Sequence, residues 1–478
     1  MLTSLNLLDG EPAEPLGGDV VTRASPHDPA REIVLPGSGP EQVRRALDAA
    51  RERQPGWAES GPAARGDALL AAVAALREQA PAIAETMVDE VGTTPAEAAG
   101  EIANAARVLD FYAASVWRDA GLRYESVRPR TSISLTREPL GVVAALTPWN
   151  FPVNLAMLKI GPALAVGNTV VLKPSPQGAC TTTVWARAVA AVLPAGVLNV
   201  VQGDGELGAD LVARPDTDAV SFTGSTRVGR AIATAAAARG VPAVCEMGGK
   251  NTVAVGPDAD LGAAADAVLA GAFGMAGQKC TATSRVAVHT DRYAEFRDLL
   301  TERAAAWTAG PPRDASTRLG PLIDTASRDR VLGLVEDAER RGARVFTTTG
   351  SLVPEGLPGA YLNPVVLEDV PAAADIASTE VFGPVVALHR VADLDAAVAL
   401  ANSGDYGLVA SVFTRRLNDA MEFIRRVRCG TVLTNQPTAG LEFQVPTGGW
   451  KASGQGGAEQ SDRALRLYSR EKVGYLSW

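Results

Sequence analysis

Four short stretches place reactive side chains in surroundings that suit chemistry. Cys280 lies in GAFGMAGQKCTATSR, residues 271–285, after a glycine-rich lead-in and between Lys279 and Thr281. The thiolate is the nucleophile in cysteine chemistry, and it forms readily beside a cation or a helix N-terminus. A cysteine buried for packing fits the same residues, and it fits Cys180, Cys245 and Cys429 too. Glu246, in CEMGGKN, ends an apolar run and precedes two glycines; a carboxylate there suits a general base or a turn cap. Asn150, in TPWNFP, sits between two prolines that fix a turn. Its amide suits a developing oxyanion, or the turn's own backbone. FTGSTRVGR, residues 222–230, joins a strand end to Gly-Ser-Thr and a helix, an arrangement that binds anions. A fifth stretch, NVVQGDGELG, spells G-x-G-x-x-G with Gly203, Gly205 and Gly208. The dinucleotide fingerprint also needs an acid about 20 residues on, and residue 223 is a threonine.

The elements that must hold these residues alternate in type. Leu69, Leu70, Val73 and Leu76 recur at helical spacing within 62–79, and helical patterning continues to about Trp117. SISLTREPLGVVAAL, 132–146, alternates as a strand and then turns fully apolar. From 140 to 255, VVAALT, TVVLKP, LNVVQG, AVSFTG, PAVCEM and NTVAVG alternate with helical stretches, which predicts βαβ units and a mainly parallel sheet. A second α/β set spans 258–440. A Pro/Gly-rich stretch at 349–364 reads as a surface connection. LRLYSREKVGYLSW ends the chain as a helical turn and a strand.

Composition narrows the function. The 478 residues predict two or more domains. A net charge of −9 argues against nucleic acid or an anionic membrane as the main partner. The N-terminus lacks a signal-peptide pattern, and no apolar run approaches membrane-spanning length. Four scattered cysteines and three histidines fit neither a disulfide framework nor a metal site, so the chain reads as a reduced, cytoplasmic protein with no metal. Only six of the 45 basic residues are lysines, at 159, 173, 250, 279, 451 and 472, so each lysine departs from the chain's habit of using arginine.

In order along the chain, TPWNFP, GPALAVGNTVVLKPSP, FTGSTRVG, EMGGKN, GQKC, EVFGPV and NSGDYGLVASVFT resemble the motifs of the NAD(P)-dependent aldehyde dehydrogenase superfamily. The resemblance runs from about residue 20 to the C-terminus. It implies an α/β fold: a Rossmann-like cofactor domain with a five-stranded sheet (1–117 and 141–245, with part of 441–462), an α/β catalytic domain (246–440), and a small β oligomerisation extension (118–140 and 463–478). It implies Cys280 as nucleophile, Glu246 as base, and Asn150 with the Cys280 N–H as oxyanion donors. Cys280 would form a thiohemiacetal, hydride would pass to the nicotinamide, and Glu246 would activate water on the thioester. The cofactor, NAD or NADP, would meet Thr147, Pro148, Trp149, Lys173, Ser175, Pro176, Phe222, Gly224, Ser225, Val228, Met247, Gly248, Glu380 and Phe382. Ser225 would face the pyrophosphate, Lys173 the adenine ribose and Glu380 the nicotinamide ribose. The glycines at 203, 205 and 208 are then structural.

The chain departs from the family pattern in places. Pro176 stands where many NAD-preferring members carry Glu, which removes a carboxylate that would repel a 2′-phosphate and implies dual cofactor use leaning to NADP. Met275, Thr447 and Leu158 stand where Asn, Phe and Trp are usual, and the usual Arg after SGxG is absent. GQKCTATSR with NQPTAGLEFQVPTGG most resembles the α-ketoglutaric semialdehyde (2,5-dioxopentanoate) dehydrogenase branch. The expected substrate is therefore a small carboxylated semialdehyde, steered by Lys279 in a tunnel walled by Phe151, Leu155, Leu158, Thr281 and Phe443. The resemblance implies a homodimer or homotetramer. Two alternatives remain: CoA-acylating oxidation, which does not need Glu246, and a catalytically silent, crystallin-like scaffold.

Overall fold

All six residues of Val142–Thr147 (β1) and all six of Thr169–Pro174 (β2) are buried, which is why they read as unbroken apolar runs. With Leu198–Val200 (β3), Ala219–Thr223 (β4) and Ala243–Glu246 (β5) they form a five-stranded parallel sheet in the order β5–β4–β1–β2–β3. Antiparallel strands flank it: Gly454–Gln455 beside β5, and Asn6–Leu8 beside β3. The computed structural model describes residues 2–118, 121–347 and 350–478. Met1, Asp119, Ala120, Thr348 and Thr349 fall in the expected cofactor domain, extension, catalytic domain and surface connection, and lie outside the described residues.

Helices cover both faces of this sheet: Ala80–Val91 (α1), Pro95–Ser115 (α2), Asn154–Ala165 (α3), Ala179–Ala190 (α4), Gly205–Ala213 (α5) and Thr226–Ala238 (α6). Thr94 and Glu97 form a capping box at the start of α2, with Pro95 at its first position. The α2–α3 contact is close because Gly161 has no side chain; a Cβ there would lie 2.7 Å from the Tyr112 ring.

Strand order reverses between β1 and β4, so a crevice opens beyond their carboxyl ends, where parallel sheets bind ligands. β1 runs out into Pro148 and Trp149, and β4 runs out into Gly224, Ser225 and α6.

Four residues, Met247–Lys250, connect β5 to Asn251–Val255 (β6) in a second sheet. That sheet adds Thr283–His289 (β7), Val365–Glu368 (β8), Val385–Val391 (β9), Val409–Phe413 (β10) and Thr431–Thr434 (β11), ordered β8–β9–β7–β6–β10–β11, with Arg344–Thr347 antiparallel at the β8 edge. The short link sets the carboxyl end of β5 against the amino end of β6. Helix Leu261–Phe273 (α7) leads into β7 through the loop that carries Cys280.

A third sheet pairs Ser469–Ser477 with Thr131–Pro139 over nine residues, and Leu122–Glu125 adds a third strand. Two readings need correction. Ala360, Tyr361, Leu362 and Asn363, in the stretch read as a surface connection, are buried, because this segment closes over the second lobe's core. Ala464, Leu465 and Tyr468, assigned to the extension, pack in the first lobe's core. A small sheet of Leu2–Thr3, Glu32–Ser38 and Gly17–Ala24 was not expected. Among the described residues no helix is long and apolar enough to cross a membrane.

Candidate active site

The loop before β7 is backbone-strained. Met275 and Ala276 have φ of 57° and 52°, and Gly277 follows at 70°. Gly277 is required twice over, since a Cβ there would lie 2.2 Å from Gly383 O. Side chains pin the loop from several directions. Glu97 accepts from Met275 N at 2.7 Å, and Gln278 Oε1 accepts from Ile323 N at 2.9 Å. Asn150 Nδ2 donates to Gln278 O at 2.9 Å. Asn251 Nδ2 donates to the carbonyls of Cys280 and Ala282, both at 2.8 Å, while its Oδ1 accepts from Val409 N.

Cys280 is half-buried, and its thiol is pushed up to about 12, first by burial and then by the charges of Glu380 and Glu246. The sequence had suggested a neighbouring cation. Lys279 does not supply one to the substrate side: its ammonium is buried and donates to Ala270 O, at the end of α7, at 3.0 Å. The expectation that Lys279 steers a substrate is therefore corrected, because the side chain folds back under its own loop.

Glu246 ends β5. Its Oε2 accepts from Gly449 N at 3.2 Å, and its Oε1 is buried without a hydrogen-bond partner. Burial raises its carboxyl well above the usual range, the Glu459 charge raises it further, and Lys159 opposes both. Glu459 and Lys159 form a buried ion pair at 2.7 Å, and Ser221 Oγ joins both. Glu380 accepts from Gly249 N at 3.0 Å and is pushed up to about 7, mainly by burial. A Cβ on Gly248 would lie 2.2 Å from Glu380 Oε2, so this glycine makes room for the carboxylate.

Ten residues expected at the cofactor, from Thr147 to Val228, line one cleft of about 680 Å³ at the β1/β4 reversal. They are Thr147, Pro148, Trp149, Lys173, Ser175, Pro176, Phe222, Gly224, Ser225 and Val228. Ser225 caps α6, accepting from Val228 N. Lys173 is buried with no hydrogen-bond partner among the described residues, and burial lowers its ammonium to about 8. An unpaired buried cation, an open helix N-terminus and an apolar wall together suit a dinucleotide. The other four expected residues sit alongside. Met247 fills the space left by Gly229, Gly248 abuts Glu380, and Phe382 meets Trp149 edge-on at 5.6 Å.

The G-x-G-x-x-G stretch does form a strand, turn and helix, yet its donors are taken: Asp204 caps α5 by accepting from Glu206 N and Leu207 N. Gly205 and Gly208 do more than shape a turn, since both line the cleft and Gly208 leaves room for the Lys173 side chain. Of the residues expected at the substrate, Leu158 is buried, and Leu155 and Phe443 pack against the same core. Phe443 meets Phe111 edge-on at 5.7 Å. Phe151 and Thr281 are half-buried.

Sequence reading missed Asn251, Lys159 and Glu459. Lysine scarcity was the available signal for Lys159, a charge in an otherwise apolar helix. Asn251 and Glu459 gave none, because their partners lie far along the chain.

Comparison with known proteins fits this geometry. The model of the aldehyde dehydrogenase family matches residues 18–473. The chain is 38% identical over 480 residues to an alpha-ketoglutaric semialdehyde dehydrogenase of Bacillus subtilis, covering 99% of this chain and 98% of that protein. It is 36% identical to a 2,5-dioxopentanoate dehydrogenase of Saccharolobus solfataricus, covering 92% of each. Its fold is similar to the crystal structure of an NADP-dependent glyceraldehyde-3-phosphate dehydrogenase from Bacillus halodurans complexed with NADP, with a TM-score of 0.94, 33% identity and the whole of both chains covered. A family match over nearly the whole length, on a fold that brings Cys280, Glu246 and Asn150 to one seam between two sheets, shows that this chain belongs to the aldehyde dehydrogenase family.

Proposed function

We propose that the protein oxidises a small carboxylated semialdehyde to the acid, using NAD or NADP. The observation that carries the mechanism is the seam between β5 and β6. There a pinned cysteine loop meets a carboxylate with one free oxygen and an amide with one free hydrogen.

Glu246 Oε1 accepts the Cys280 proton and passes it to solvent, which leaves the carboxylate free again, and the sulfur adds to the aldehyde carbon to give a thiohemiacetal. Asn150 Nδ2 spends one hydrogen on Gln278 O, and its second hydrogen, with the Cys280 N–H, holds the oxyanion. A bound dinucleotide would supply the hydride acceptor, and Lys173, Ser225 and Glu380 would hold it. Glu246 then takes a proton from water as the water attacks the thioester, and the thiol and the acid are released. Pro176 leaves the Lys173 end free of a carboxylate at that position, which supports NADP as well as NAD.

The substrate reading rests on the branch motifs and on the names of the relatives. Lys279 no longer supports it. Arg118 does: its guanidinium lies 5.7 Å from the Phe111 ring centroid, and Phe111 abuts Phe443. Four free cysteines support a reducing, cytoplasmic setting. Among the described residues, the strand Ser469–Ser477 leaves one long edge unpaired, with Val473, Tyr475 and Leu476 exposed, which supports a homodimer or homotetramer. Light scattering showing only monomer would remove that part.

The test is absorbance at 340 nm with 2,5-dioxopentanoate, succinic semialdehyde, benzaldehyde and hexanal, with each cofactor, beside Cys280→Ala. Carboxylated substrates should lead in kcat/KM, and the variant should be inactive. Leading neutral aldehydes would remove the substrate reading alone. Turnover only with CoA would replace Glu246 hydrolysis by acyl transfer, and no turnover at all would leave the silent scaffold.

A further inference from the structure

The cleft's Lys173 end is closed by the turn Pro176–Gly178, and Ser175, Pro176 and Gln177 all line it. The turn is held from behind by a guanidinium. Arg23, in the strand Gly17–Ala24, donates from Nη2 to Gln177 O at 2.9 Å and to Glu90 O at 2.8 Å. The same nitrogen lies 4.0 Å from Glu90 Oε1.

Glu90, near the end of α1, is fully buried. Its carboxylate accepts from Cys180 N at 2.8 Å, and from Thr181 N and Thr181 Oγ1, both at 2.7 Å. These groups belong to the first turn of α4, which follows the cleft turn directly. Arg23 and Glu90 therefore grip residues 177–181 from both sides.

The arrangement is costly. Arg23 keeps Nε and Nη1 buried without partners. A buried donor left unpaired forfeits its hydration, and a buried ion pair stabilises a fold less than apolar packing would. Asp89, one residue before Glu90, shows the cheaper alternative: it is bound by Arg31 and Arg313, whose side chains reach water.

We propose that Arg23 and Glu90 are positioning residues for the adenosine-ribose end of the dinucleotide. Arg23 is an internal cation that draws two backbone carbonyls together. Glu90 fixes the start of α4. Together they hold Ser175 and Gln177, whose side chains bond each other, at a set distance from Lys173. This rests on the reading of the cleft as the cofactor site.

The experiment titrates NADH and NADPH against wild type, Arg23→Ala and Arg23→Lys by fluorescence, and follows the thermal midpoint in parallel. Lysine keeps the charge but replaces the planar fork with a shorter-reaching point donor. The expected result is a Kd about tenfold higher for both reduced cofactors in each variant. In turnover the loss should fall on KM for the cofactor, with kcat and the aldehyde KM little changed. Millimolar guanidinium should restore part of the affinity of Arg23→Ala, whose truncated side chain leaves a space of that shape. If Arg23→Ala does not fold, Arg23→Lys carries the test. Wild-type Kd in the folded variants, with only the thermal midpoint lowered, would overturn the proposal. Wild type that binds neither cofactor would overturn the reading of the cleft and this proposal with it.

Discussion

Lys159 Nζ lies 2.7 Å from the Glu459 carboxylate in a fully enclosed pair that sits behind Glu246. The cation lowers the Glu246 carboxyl and the anion raises it, so the two set the pH at which Glu246 can accept a proton. Lys159→Met removes the lowering charge. The acid limb of the pH–kcat profile is expected to move to higher pH, and stability to fall by about 3–5 kcal/mol, since Glu459 is left buried and unpaired. Glu459→Gln should move the limb the other way. Unmoved profiles in both folded variants would detach the pair from Glu246.

Cys280 is pushed up to about 12 by burial first and then by the Glu380 and Glu246 charges. Without cofactor, alkylation by iodoacetamide should therefore be slow at pH 7 and rise steadily with pH. Glu246→Gln removes a charge that opposes the thiolate, so labelling at pH 9 should speed up several-fold. Unchanged or slower labelling would mean that the Glu246 charge is not among the causes that hold the thiol up.

Lys279 donates to Ala270 O, under its own loop. Lys279→Met is expected to leave the KM for carboxylated semialdehydes within about twofold and to cost no more than about 1 kcal/mol of stability, since Ala270 O keeps the Gly274 N–H as a donor. Arg118→Ala should do the reverse, raising that KM while leaving the thermal midpoint alone. A KM effect confined to Lys279→Met would restore Lys279 as the steering cation.

Burial pushes Glu380 up to about 7, and its ionised form, which can accept at both oxygens with charge-assisted bonds, holds a ribose diol more strongly than the protonated form, which turns one oxygen into a donor. Cofactor affinity should rise between pH 6 and pH 8, and Glu380→Gln should flatten that dependence. Gly248→Ala places a Cβ 2.2 Å from Glu380 Oε2 and must displace it. Its cofactor KM should rise about tenfold or more. Native affinity in Gly248→Ala would show that Glu380 is not held where the cofactor binds.

The strands of both lobes were legible in the sequence because buried parallel strands are continuous apolar runs; VVAALT, TVVLKP and NTVAVG are β1, β2 and β6 residue for residue, apart from one glycine. The cleft was legible because its wall comes from strand ends and helix starts, where local motifs such as TPWNFP and FTGSTRVG write the turn chemistry. The small N-terminal sheet was not, since its strand Gly17–Ala24 is exposed along nearly its whole length and carries no apolar face to read.

By itself the sequence determined which residue types could react and in what order they occur: Asn150, then Glu246, Cys280 and Glu380. Their motifs are local, and a nucleophile, a base and an oxyanion donor are fixed by side-chain chemistry. Only the tertiary structure decided where each charge points. It turned Lys279 under its own loop, filled the donors of the 203–208 glycine turn with Asp204, and buried Lys159 and Arg23 against carboxylates 300 and 67 residues away. Long flexible side chains choose their partners by burial and distance, and neither is encoded in the residues beside them.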